Sequence, residues 1–122
     1  MEIMKEISPQ LQNQIIQLRQ LQQQAQALAI QRGQIEIMLR EAEAALGEME
    51  KAGAEEVIYR AVGEILIKSK KEDIQTALAE KKETYSLRLK TLEKQEERIL
   101  KRVQELQTQI QSALEAGTSG AG

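Results

Sequence analysis

The stretch Val57-Ile58-Tyr59-Arg60-Ala61-Val62-Gly63-Glu64-Ile65-Leu66-Ile67-Lys68 decides the fold. Its β-branched and aromatic residues favour extended backbone, and Gly63 followed by Glu64 fits a two-residue type II′ turn with glycine at the first central position. A helical connection is the competing reading, but Gly53 and Gly63 with β-branched residues between them are poor helix formers. The stretch reads as a β-hairpin. An isolated two-stranded ribbon is marginal in water, and Ile65-Leu66-Ile67 places apolar side chains on both of its faces. The chain has nothing of its own to cover either face, and both edges offer unpaired backbone groups. Pairing with hairpins of other subunits, in a closed sheet or barrel, resolves both problems. The expected assembly residues are Val57, Ile58, Tyr59, Val62, Gly63, Ile65, Leu66 and Ile67.

On either side of the hairpin the apolar period changes to seven. One seam before it runs through Leu11, Leu18, Ala25, Arg32, Leu39 and Leu46, and a second through Gln14, Leu21, Leu28, Ile35, Ala42 and Met49. Alternating spacings of three and four, sustained for about five heptads, mark a helix that buries one narrow stripe against another helix. Ser8 and Pro9 suit its start and Gly53 its stop. After the hairpin, Leu78, Tyr85, Leu92, Ile99, Leu106 and Ala113 repeat the pattern, interleaved with Gln75, Lys82, Leu89, Glu96, Val103 and Ile110. The boundaries predicted are a helix over 8–52, the hairpin over 53–69, a second helix over 70–116 and a disordered tail over 117–122.

Two helices of about 45 residues each extend about 65–70 Å, and their equal lengths predict an antiparallel pair. Facing residue numbers then add to about 124, which sets Leu18 against Leu106, Leu21 against Val103 and Leu46 against Leu78. Arg32 and Glu96 interrupt the seams one turn apart. Either they pair across the seam and help to set register, or both reach out to water along their aliphatic stems. The fold class expected is mainly α: a long antiparallel two-helix coiled coil with a single central β-hairpin that forms an intersubunit β-barrel.

Composition agrees. There is no Phe or Trp, only two Tyr, and 30% of the 122 residues are charged, so thin solvent-bathed helices suit the chain better than a bulky core. Neither His nor Cys occurs, which removes the commonest zinc ligands, the usual neutral-pH base and the thiolate nucleophile. No glycine-rich phosphate loop ending in Lys and Ser or Thr is present. The reading is of a protein that is not an enzyme and needs no cofactor. A net charge of −2 with mixed signs gives no field for nucleic acid or an anionic membrane, and Lys68, Lys70 and Lys71 read as a solvated corner. No signal peptide or membrane-length apolar run is seen, so a cytoplasmic location is expected.

With these residues in view, the chain resembles a β-class prefoldin subunit of the archaeal type. The likeness rests on Leu21-Gln22-Gln23-Gln24-Ala25-Gln26 in the first helix, Val57 to Ile67 in the centre, and Thr91-Leu92-Glu93-Lys94-Gln95-Glu96-Glu97-Arg98-Ile99 in the second helix. One hairpin between equal helices is more specific than heptads, and a second hairpin would indicate the α class. The resemblance implies an ATP-independent holdase chaperone, a hexamer of two α-class and four β-class subunits. Its hairpins close a double β-barrel from which six coiled coils hang. It further implies capture of unfolded client proteins at the coiled-coil tips and their delivery to a group II chaperonin.

The far end of the helix pair gathers Ile3, Met4, Ile7, Leu11 and Ile15 with Leu106, Ile110 and Leu114. One seam cannot hold all of them, and terminal turns fray, so client segments are expected to dock there. The bland alternative is that they close the coiled coil. The rival function is a structural adaptor whose tips grip one folded partner.

Overall fold

In the computed structural model the structure describes the backbone of residues 8–121 and the side chains of 8–116. Helix α1 spans Pro9–Lys51, strands β1 and β2 span Ile58–Val62 and Ile65–Ser69, and helix α2 spans Lys71–Ala121. Helical structure thus continues through Gly117 to Ala121, where an irregular tail was expected. Extending an existing helix fixes one residue at a time and avoids a new nucleus. Gly122 lies outside the described residues. Strand β1 begins at Ile58, one residue later than the apolar run that starts with Val57.

Ser8 caps α1: its Oγ accepts a hydrogen bond from the Leu11 amide at 3.1 Å, and its carbonyl oxygen accepts from the Gln12 amide at 3.0 Å. Pro9 follows at the first helical position, where its missing amide costs nothing. At the other end the Ala52 amide makes the last helical bond, to the Glu48 carbonyl, and a turn closes between the Glu56 amide and the Gly53 carbonyl.

The chain divides into two compact units, one holding residues up to Gln31 with those from Leu92 onward, the other Arg32–Thr91. In the first unit α1 and α2 run antiparallel: Gln14 Nε2 donates to Gln109 Oε1 at 3.4 Å, while Leu28 lines a common hollow with Gln95. Both pairs lie within one residue of the register in which facing numbers add to about 124. Its core is Leu11, Val103, Leu106 and Ile110, with Leu106 fully enclosed. The second unit contains the hairpin between the inner ends of the helices, and its core residues are Ile35, Ala42 and Met49, spaced by seven along α1. Every buried apolar residue in either unit sits on one of the seam positions read from the heptads. Arg32 is half-buried and its Nη1 lies 2.9 Å from Glu36 Oε1 on its own helix, an i,i+4 partner that the sequence reading did not assign.

Candidate functional site

The hairpin turns where expected. Gly63 has φ of 60°, and no non-glycine residue among those described has positive φ, so Glu64 does not. Positive φ at the first central position alone is the type II′ geometry. The register pairs Ile58 with Ser69, Tyr59 with Lys68, Arg60 with Ile67, Ala61 with Leu66, and Val62 with Ile65. Side chains alternate across a strand, so Ile58, Arg60, Val62, Ile65 and Ile67 share one face and Tyr59, Ala61, Leu66 and Lys68 the other.

Both faces are bare. Ile65 is 65% exposed and Leu66 69%, although they belong to opposite faces, and Val57, Tyr59, Val62 and Ile67 are also exposed. Six of the thirteen exposed large apolar side chains thus fall between Val57 and Ile67, which makes this the densest apolar surface in the described chain. Burying one such half-exposed side chain is worth on the order of 1 kcal/mol, so a set of six offers several kcal/mol to whatever covers it. The two-stranded sheet also leaves each strand with one unpaired edge.

The base of the hairpin is tied to both helices. Ser69 Oγ donates to the Ile67 carbonyl at 3.1 Å, and Lys71 Nζ donates to the Ala52 carbonyl at 2.8 Å. That carbonyl follows the C-terminus of α1, where the helix leaves acceptors without intrahelical donors and the dipole is negative, so an ammonium group is well placed there. Lys71, expected in a solvated corner, is half-buried and joins the two helices across the connection.

At the end of the first unit the expected client-binding residues divide. Ile3, Met4 and Ile7 lie outside the described residues. Leu11, Leu106 and Ile110 are buried in the helix pair, Ile15 is half-buried, and Leu114 is 46% exposed. Ile16, which sequence reasoning passed over, is 53% exposed. Its signal was present in the Ile15-Ile16 pair, because neighbouring helix positions point 100° apart and a narrow seam accepts at most one of them. Further exposed apolar residues, among them Ile30, Ile37, Leu87 and Leu100, fall off the seams. No helix among the described residues is long and apolar enough to cross a membrane.

Residues 12–116 match the family model described as Prefoldin subunit. The chain is 51% identical over 111 residues to prefoldin subunit beta of Archaeoglobus fulgidus, a match covering 91% of this chain and 96% of the relative. It is 52% identical over 115 residues to prefoldin subunit beta of Methanococcoides burtonii, covering 94% and 97%. Among solved structures, the prefoldin beta subunit from Thermococcus strain KS-1 superposes with a TM-score of 0.83 at 40% identity, covering 88% of this chain and 95% of that one.

Proposed function

Because this chain belongs to the prefoldin subunit family, we propose that it is the β-type subunit of an ATP-independent holdase. It captures unfolded proteins and passes them to a group II chaperonin in the cytoplasm. The observation that carries this reading is the bare hairpin, apolar on both faces from Val57 to Ile67. Such a surface is covered by like surfaces: hairpins of an α-class subunit and of further β subunits pair edge to edge and close a barrel, in a hexamer of two α and four β.

Client capture falls to the end of the first unit. At rest Ile16 and Leu114 offer apolar contact, while Leu11, Leu106 and Ile110 become available only as the terminal turns open. Each contact is weak, and several subunits engaging one client raise the effective concentration enough for useful affinity.

The test combines light scattering of the chain, alone and with an α-type subunit, with an aggregation assay on a chemically denatured client. Removing residues 1–10 and 107–122 abolishes protection and leaves the oligomer intact. Undiminished protection by the trimmed chain, or tight binding of one native protein and of no unfolded one, refutes the reading and favours an adaptor.

A further inference from the structure

The first unit carries a shallow hollow of about 390 Å³ lined by Gln24, Ala27 and Leu28 of α1 and by Gln95, Arg98 and Ile99 of α2. It exists because α1 is short of side-chain volume at this level. Ala27 lines the hollow where a bulkier residue would fill the gap beside Ile99, and a gap left unfilled is open to an incoming side chain. Leu28 and Ile99 are half-buried and form an apolar floor.

Charge around the hollow is one-sided. Helix α1 has no Asp or Glu from Ser8 to Ile35, so its lip is glutamine-rich and uncharged at this level. On α2, Arg98 is exposed, and among the described residues no carboxylate pairs with it. Lys94 precedes it by one turn on the same side of the helix. The nearby acids Glu93, Glu96 and Glu97 line a different hollow, with Leu100, Lys101 and Gln104.

We infer that this hollow is a lateral subsite for extended, unfolded polypeptide. It takes one aliphatic side chain on Leu28 and Ile99 while a neighbouring carboxylate of the same segment meets Arg98. Gln24 and Gln95 each carry both a donor and an acceptor, so they satisfy peptide groups of the segment whatever its sequence. A second copy of the chain fits less well, because a stable interface buries roughly 800 Å² per partner and six residues around a one-side-chain hollow fall short of that. The subsite rests on the client-holding function proposed above and adds to it: acidic–apolar segments gain a contact away from the chain ends, which raises the number of weak contacts per client.

The experiment uses the full-length chain and two unstructured Gly/Ser peptides, one with leucines each followed by aspartate, the other with leucines each followed by lysine. Binding is read by fluorescence anisotropy at low ionic strength and by the methyl NMR signals of Leu28 and Ile99. The aspartate peptide shifts those methyls. Arg98→Glu weakens it by about five- to tenfold and strengthens the lysine peptide by a similar factor, as expected when an exposed attraction becomes a repulsion. Ala27→Leu, at an exposed position, fills the hollow and weakens both peptides. Aspartate-peptide affinity unchanged by Arg98→Glu overturns the subsite, as do shifts confined to Ile16 and Leu114. Shifts at Leu28 and Ile99 that follow protein concentration without peptide identify a second copy as the occupant and overturn it too. Suppression of client aggregation, measured alongside, separates the two ideas: wild-type protection without any Leu28 or Ile99 response removes the subsite and leaves the holdase reading in place.

Discussion

Lys71 Nζ lies 2.8 Å from the carbonyl oxygen of Ala52, so the first residue of α2 supplies the donor that the end of α1 lacks. The contact joins the two helices at the point where the hairpin inserts. On the β2 side a single residue separates strand from helix, whereas on the β1 side residues 52–57 do so, and the Lys71 bond ties the longer connection to the shorter. Lys71→Met removes a hydrogen bond from a charged donor and lowers stability by about 1–2 kcal/mol in urea denaturation, with Lys71→Arg recovering part of the loss. Equal stability of Lys71→Met and wild type would show that the bond contributes nothing.

Among the described residues, Gly63 is the one position where backbone conformation demands glycine. Its φ of 60° is unfavourable for any side chain, so Gly63→Val costs about 1–2 kcal/mol locally and disturbs the turn that sets strand register. Light scattering should show impaired assembly with the α-type subunit, while circular dichroism retains the helical signal.

Ser8 controls the terminal turn. Ser8→Ala removes the acceptor for the Leu11 amide and costs about 1 kcal/mol of helix-end stability. Hydrogen exchange at Leu11 to Ile15 accelerates as a result. If clients bind opened turns, capture of a denatured client becomes faster; slower capture with faster exchange would contradict that mechanism.

Leu106 and Leu114 separate packing from binding. Leu106 is 0% exposed, and Leu106→Ala leaves a cavity costing about 2–5 kcal/mol. Leu114 is 46% exposed, so Leu114→Ser changes stability by less than about 0.5 kcal/mol. Thermal unfolding checks both, and an aggregation assay with Ile16→Ser and Leu114→Ser combined should show weaker protection with an unchanged oligomer.

Gly33 stands inside α1, and a Cβ built there meets nothing within 4 Å. Gly33→Ala therefore stabilises by about 0.5–1 kcal/mol through the smaller entropy lost on folding. A rise in the urea midpoint at unchanged slope is the expected reading.

The family likeness was legible before any coordinates because the features that carry it repeat or are local. Heptads from Leu11 to Met49 and from Leu78 to Ile110 named every residue that became buried, although Ala113 at the end of its seam is exposed. Arg32 has a partner that seam periodicity did not name: Glu36, one turn along the same helix, whose Oε1 lies 2.9 Å from the guanidinium. At the end of the first unit, composition showed an excess of apolar residues over what one seam can bury. The heptads set Leu106 on a seam and Leu114 off it, but that Leu106 is fully enclosed while Ala113 on the same seam is exposed depends on the facing helix.

The sequence by itself determined the hairpin, its II′ turn at Gly63, the Ser8 cap and the stripes of the two helices, since each follows from backbone preferences and periodicities within a few residues. Tertiary structure alone decided that Lys71 reaches Ala52, that Leu106 is enclosed while Ala113 on the same seam is exposed, and that Ala27 leaves a hollow beside Arg98. Those outcomes depend on what distant parts of the chain bring to the same place, and volume, distance and charge between remote residues exist only once the helices are packed.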